Sequence, residues 1–147
     1  MPQFKRLADN MYVAPQLSPD DIARAASEGF SLIVNNRPDD EEAGQPSSFD
    51  LEQAAKAHGL AYRSIPVGGG GFGMPQVEAL ANALQDAQGK TLAFCRSGTR
   101  STMLWALAQA TRGQDTDSIA QAAQAAGYDV QAIRPTLDLL VRQNGGA

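Results

Sequence analysis

The sequence has few of the residues that most often reveal a protein's chemistry. Its 147 residues include a single cysteine, Cys95, and a single histidine, His58. One cysteine excludes a disulfide within the chain, and it also excludes a second thiol that could resolve an adduct on the first. One histidine far along the chain from one cysteine indicates neither a metal site nor a defined catalytic pair. We therefore predict no metal and no cofactor.

Long apolar runs and an excess of positive charge are also missing. No run is long enough to span a bilayer, and no positively led signal segment is present. We expect a soluble, cytoplasmic chain without a membrane partner. The formal net charge of −4 at pH 7 argues against nucleic acid as a partner. Without repeats or low-complexity linkers, a chain of this length predicts one domain, residues 1–147.

The most informative stretch covers residues 91–101. Residues 91–94 are apolar or β-branched and predict a short buried strand, and from Ser101 onward apolar residues recur at helical spacing. The loop between them holds Cys95, Arg96, Ser97, Gly98, Thr99 and Arg100. A strand that leads through a tight loop into a helix directs backbone N–H groups and the helix dipole at one point. Residues 96–99 therefore predict an anion-binding loop with a thiol at its base.

The residue types in this loop favour a reactive thiolate. A lone cysteine in a strand is most often a small buried apolar residue. The pattern Cys-x-x-Gly-x-Arg-Ser changes that interpretation, because helix N-termini and nearby arginines favour the thiolate form. Gly98 permits a tight turn, Arg100 has the planar fork that suits an oxyanion, and Ser101 can donate to the thiolate. We predict that Cys95, Arg100 and Ser101 are catalytic; Arg96 either lines the mouth or faces solvent.

Strands and helices alternate along the rest of the chain. The predicted strands are residues 4–7, 11–13, 30–35, 61–67 and 91–94. The predicted helices are residues 19–27, capped by Ser18; 49–58, capped by Ser48; 75 to about 87; 101–110; 117–126; and 135–143. The alternation predicts an α/β domain with a sheet of four or five mainly parallel strands, flanked by helices.

An acidic loop, residues 36–42, follows the predicted strand 30–35. Acidic loops are most often only solvated. Ligands of open α/β sheets nevertheless bind at the carboxyl ends of the strands. Arg37, Asp39 and Asp40 are therefore candidates for the edge of the site.

A run of glycines, residues 68–71, follows the next predicted strand. Consecutive glycines disfavour helix and strand interiors. The run lacks the residues of a nucleotide-binding loop. Two interpretations remain open: Gly69, Gly70 and Phe72 form a lip over the Cys95 site, or the segment is a plain connector.

Three segments resemble one known family. They are residues 33–38 (Ile-Val-Asn-Asn-Arg-Pro), 45–47 (Gln-Pro-Ser) and 94–101 (Phe-Cys-Arg-Ser-Gly-Thr-Arg-Ser). They are similar to the beta-lactamase-hydrolase-like, phosphatase-like domain family, and the similarity extends from about Arg6 to Leu140. The resemblance implies the dual-specificity phosphatase fold, with a catalytic cysteine loop between the central strand and a helix. Members occur alone or fused to a domain similar to persulfide dioxygenases, which implies such an enzyme as a partner.

The loop departs from the phosphatase pattern in three respects. Tyrosine-phosphatase-like enzymes place five residues between Cys and Arg, whereas four separate Cys95 from Arg100. They usually have His before the Cys, where this chain has Phe94. Their general acid has no counterpart in residues 65–70, and losing a positioned acid costs roughly 10²–10⁴-fold in rate. The six-residue loop instead resembles the rhodanese active loop, where sulfur transfer needs no acid to protonate oxygen.

These observations leave three hypotheses for function. The leading one is rhodanese-like sulfur transfer through a Cys95 persulfide, from a small-molecule or protein-borne sulfane donor to an external thiol. The alternative is hydrolysis of a phosphate substrate through a Cys95 phosphocysteine, with an acid supplied by Asp39, Asp40, Glu41 or Glu42 if their loop folds over the site. The third is a non-catalytic module that binds anions or persulfides.

Overall fold

The computed structural model of the protein describes residues 2–145, with a five-stranded sheet at its centre. The strands are β1 (Lys5–Ala8), β2 (Met11–Ala14), β3 (Phe30–Asn35), β4 (Ala61–Ser64) and β5 (Lys90–Phe94). Their order across the sheet is β1-β2-β5-β3-β4. Only β1 is antiparallel to its neighbour; the other pairings are parallel. The predicted α/β class with a mainly parallel sheet is confirmed.

Helices cover both faces of the sheet. They are α1 (Pro19–Ser27), α2 (Ser48–Ala57), α3 (Met74–Asp86), α4 (Thr99–Thr111), α5 (Thr116–Ala125) and α6 (Arg134–Gln143), with a short 3-10 helix (Gln131–Ile133) before α6. One apolar core lies between the sheet and α1 and α2, and the other lies between the sheet and α3 to α6. Among the described residues, no helix is long and apolar enough to cross a membrane.

The central strand β5 places Cys95 at the carboxyl edge of the sheet, where the loops after the other parallel strands also lie. It pairs in parallel with β2 on one side and β3 on the other. Leu92 and Phe94 pack toward α1 and α2, while Ala93 packs toward α3 to α6. A parallel strand covered on both faces is expected to be almost continuously apolar, as this one is. Cys95 follows at its carboxyl end, beside the loops that follow β2, β3 and β4.

Two predicted boundaries are wrong for local reasons. Ser47, not Ser48, caps α2, since its side chain accepts a hydrogen bond from a backbone N–H in the first turn. Strand β4 ends at Ser64 instead of Val67. Its partner β3 ends opposite Ser64, and Pro66 has no N–H with which to continue a ladder.

Helix α4 also begins earlier than predicted. Gly98 is its N-cap and has a φ of +95°, a left-handed conformation that glycine adopts without steric cost. The helix therefore starts at Thr99, two residues before Ser101. The Thr102 hydroxyl donates to the carbonyl of Gly98 at 2.8 Å and ties this turn to the helix. As a result, Arg100 and Ser101 lie within the first turn of α4.

Candidate active site

The loop after β5 wraps around the sulfur of Cys95. The side chain is only 1% exposed, and it lies at the carboxyl end of β5. The backbone N–H of Gly98 donates to the Cys95 Sγ at 3.1 Å. Gly98 itself has the left-handed φ of +95°. A backbone donor and the N-terminus of α4 both stabilise negative charge at this point.

Ser101 does not make the hydrogen bond predicted from the sequence. Its side chain is fully buried, and its hydroxyl has no hydrogen-bond partner within residues 2–145. The donor to Cys95 is the Gly98 N–H instead. Ser101 itself lies in the first turn of α4.

Arg100 uses one edge of its guanidinium for protein contacts. Nη1 donates to Glu41 Oε2 and to the Val67 carbonyl, both at 2.8 Å, and Nη2 donates to Glu41 Oε1 at 2.9 Å. A guanidinium has five N–H donors. Within residues 2–145, these three hydrogen bonds leave the Nε–H and one Nη2 proton along the second edge. That edge has the fork geometry that binds an oxyanion through two hydrogen bonds.

Arg37 has a buried side chain that contacts other residues of the acidic loop. Its side chain is only 2% exposed. Nε donates to Glu41 Oε1 at 2.9 Å, Nη1 donates to Gln16 Oε1 at 2.9 Å, and Nη2 lies 3.4 Å from Glu42 Oε1. Arg37 therefore anchors Glu41, which in turn holds Arg100. Gln16 was missed by the sequence analysis, although its position just after the parallel strand β2 was an available signal.

Glu41 is ionised between its two arginines. Its pKa is lowered from 4.5 to about 2, chiefly by the hydrogen bond from Arg100; partial burial opposes this shift and the Arg37 hydrogen bond adds to it. The pKa of Arg100 is raised, chiefly by Glu41 and in part by the negative charge of Cys95. A carboxylate with this pKa cannot donate a proton at neutral pH. Glu41 orients Arg100 and is excluded as the general acid in this arrangement.

The other acidic residues of the loop have different contacts. Asp39 accepts a hydrogen bond from the backbone N–H of Ser48 at 2.8 Å, and Asp40 is exposed with a φ of +63°. Glu42 lies 3.6 Å from Arg96, whose side chain is 69% exposed. The acidic loop does fold against the cysteine loop, but its contacts there are made by Glu41 and Glu42.

The outer side of the cysteine loop is polar and exposed. The Ser97 hydroxyl donates to the Thr99 hydroxyl at 3.1 Å. The carbonyl of Arg96 accepts from the backbone N–H of Gln16 at 3.3 Å. The structure thus brings the predicted loop residues together around Cys95.

The residue just before the glycine run, Val67, contacts the site. The Val67 carbonyl accepts from Arg100, just before the glycine run begins. Gly69 and Gly70 have open space where a side chain would stand. Phe72 packs against the core shared by α3 and α4. The contacts of Phe72 anchor this segment to the core, and the choice between lip and connector stays a prediction.

The fold and the site define a class of protein. A buried cysteine ends a central parallel strand, and a tight glycine turn leads to an arginine in the first turn of the next helix. The fold that carries these residues is similar to that of the dual-specificity phosphatases. Residues 3–112 match the model of the beta-lactamase hydrolase-like protein, phosphatase-like domain. The chain belongs to this family.

Comparisons with individual proteins agree with that assignment. A beta-lactamase hydrolase-like protein of Xylella fastidiosa is 32% identical over 123 residues, which cover 83% of this chain and 28% of the relative. This chain thus spans little more than a quarter of that relative's length. A proposed phosphatase of Neisseria meningitidis has a TM-score of 0.81 at 33% identity, covering 93% of this chain and 97% of the other. A kinase-associated phosphatase, at 14% identity and a TM-score of 0.73 over 95% of both chains, shares the fold.

We predict that the Glu41 ion pairs stabilise the protein in a pH-dependent way. A carboxyl group with a folded pKa of about 2 and an ordinary value of 4.5 contributes stability above pH 4.5, and this contribution is lost as the pH falls toward 2. Glu41→Gln should therefore lower the free energy of unfolding at neutral pH, and the difference from wild type should shrink through that window. Urea unfolding at a series of pH values measures it. Glu78→Gln, an exposed site on α3, is the matched control; a Glu41→Gln effect independent of pH would contradict the prediction.

Arg100→Lys should weaken binding of inorganic phosphate by about tenfold or more. A lysine ammonium has no second edge, so it cannot both bind Glu41 and present a fork to an anion. Isothermal titration with phosphate measures the loss, and Arg142→Lys on exposed α6 is the control. If Arg100→Lys binds normally while Arg96→Ala does not, Arg96 is the principal anion ligand.

Proposed function

We propose that the protein hydrolyses phosphate monoesters through a Cys95 phosphocysteine. The observation that carries the proposal is the second guanidinium edge of Arg100. Glu41 holds this arginine in the helix turn next to a sulfur that already accepts the Gly98 N–H. Family membership supports it, as does the similarity to the Neisseria meningitidis protein. The kinase-associated phosphatase with the same fold has a catalytic-site cysteine.

The reaction would proceed in two displacements. The Cys95 thiolate attacks phosphorus, so an S–P bond forms while the P–O bond to the leaving group breaks, and the leaving oxygen keeps the electron pair. Arg100 and backbone N–H groups of the loop stabilise the charge on the phosphoryl oxygens. Water then attacks phosphorus, the S–P bond breaks, and inorganic phosphate and the thiolate are released. The proton from this water balances the one taken up by the leaving group from solvent.

The acidic residues point to a particular class of substrate. Glu41 is ionised and engaged, and Asp39 is held by the start of α2. Glu42 lies beside Arg37 and Arg96, so three of the four carboxyl groups of this loop are held by other groups. Without a general acid, efficient turnover requires a leaving group that departs as a stable anion. We propose aryl phosphates, acyl phosphates or phosphoanhydrides, not alkyl phosphates.

The comparisons favour this function over the sulfur transfer preferred from the sequence. The matching family and the similar structures are phosphatase-like, and none of them supports persulfide transfer. The preference for sulfur transfer depended on loop length and on the missing acid. The missing acid narrows the range of phosphate substrates without excluding all of them. The four-residue spacing between Cys95 and Arg100 keeps sulfur transfer as the competing function in the experiment below.

Cys95→Ser should abolish hydrolysis of an aryl phosphate while the fold is retained, because a serine hydroxyl is a far weaker nucleophile at neutral pH. Phosphate release and circular dichroism measure the two properties. In parallel, wild type is incubated with thiosulfate and its intact mass is recorded. A mass gain of one sulfur atom that cyanide removes, without phosphate hydrolysis, would establish sulfur transfer instead. Phosphate binding with neither reaction would indicate the non-catalytic module.

Hydrolysis rates should fall steeply as the leaving group becomes more basic. A series of substituted phenyl phosphates followed by an alkyl phosphate tests this, because a reaction without a general acid depends on the stability of the leaving anion. The measured quantity is kcat/KM for each substrate. A flat series would show that an acid takes part. Glu42→Gln would then test whether Glu42, the partner of Arg96, supplies the proton.

A further inference from the structure

Tyr128, between α5 and the 3-10 helix, reaches the cysteine loop from outside. Its hydroxyl donates to the carbonyl of Ser97 at 3.0 Å. A side chain at Gly98 would overlap that hydroxyl, so the two groups are in close contact. The tyrosine therefore contacts the peptide unit that links Ser97 to Gly98. Nothing in the sequence around Tyr128 indicated this contact.

The same peptide unit also carries the donor to the nucleophile. Its carbonyl belongs to Ser97, and its N–H belongs to Gly98 and donates to Cys95 Sγ at 3.1 Å. In a trans peptide the C=O and N–H groups point in opposite directions. A partner that holds the carbonyl outward therefore holds the N–H inward, toward the sulfur.

We propose that Tyr128 is a positioning residue that keeps the Ser97–Gly98 peptide oriented with its N–H toward Cys95. Glycine tolerates both positive and negative φ, so this peptide has little intrinsic preference for one orientation. In the flipped orientation the Ser97 carbonyl would face the sulfur and repel a thiolate. The proposal deepens the proposed function, since it depends on Cys95 acting as a thiolate, but it does not depend on which substrate is attacked.

The surroundings of Tyr128 suit a permanent donor. Partial burial raises its pKa, and the negative charge of Cys95 raises it further, so the hydroxyl keeps its proton at neutral pH. The Lys5 ammonium lies 4.9 Å from the ring centroid, a cation–π contact that helps to hold the ring in place. Tyr128 is thus fixed on its outer side by β1 and on its inner side by the cysteine loop.

Tyr128→Phe tests the proposal because it removes only the hydroxyl. The rate constant for alkylation of Cys95 by iodoacetamide is measured from mildly acidic to mildly alkaline pH. Near neutral pH the variant should react about three- to tenfold more slowly, the effect of losing one hydrogen bond. The difference should narrow as the pH rises and both proteins become fully ionised at the thiol. Tyr12→Phe is the control, since Tyr12 lies in β2, packs edge-on against Phe30 of β3 and is paired with Leu92 within the sheet.

Three results would overturn the proposal. They are an unchanged or faster rate in Tyr128→Phe, a loss equal to that of Tyr12→Phe, and a slowing that is the same at every pH, which would indicate altered access. The melting temperature of each variant identifies unfolding, which would expose the thiol and speed alkylation. Because the assay uses no phosphate substrate, failure of the proposed phosphatase activity would leave this result intact. Phosphate hydrolysis by the wild-type protein can likewise be observed whether or not Tyr128→Phe slows the alkylation of Cys95.

Discussion

The pairing of one glutamate with two arginines holds the site together. Glu41 lies between the buried Arg37 and the helix residue Arg100. A buried guanidinium is costly unless its donors are satisfied, and Arg37 meets that requirement with Glu41, Glu42 and Gln16. These partners come from the loops after β2 and β3. The ion pairs and the Gln16 hydrogen bond therefore join two loops to the start of α4, next to Cys95.

This pairing has a chemical consequence as well as a structural one. The two arginines keep Glu41 ionised, and Glu41 keeps one edge of Arg100 occupied. The second edge is the one that we propose binds an anion, and its orientation is set by the hydrogen bonds to Glu41. The same electrostatics remove the carboxylate in direct contact with the arginine from use as an acid. Glu41 therefore cannot both orient Arg100 as a carboxylate and donate a proton as a general acid.

The short cysteine loop shows the limits of argument from a motif. Counting residues between Cys95 and Arg100 favoured sulfur transfer, whereas family membership and similar structures favour phosphate hydrolysis. Loop length is a local property, but the residues that contact this loop come from several other segments. Glu41, Val67 and Tyr128 all contact this loop from elsewhere in the chain. They decide where Arg100 and the Gly98 N–H point.

The sequence alone determined the elements and the place of Cys95 among them. A run of apolar residues ending at Cys95, followed by Gly98 and an apolar helix, is a local pattern, so the strand, turn and helix could be predicted with small boundary errors. Only the tertiary structure decided that Glu41, 59 residues from Arg100, is its partner and that Tyr128, 31 residues from Ser97, holds the loop. Such pairs depend on strand order and helix packing, which bring distant segments together. These contacts could therefore not be predicted from residue type or from spacing along the chain.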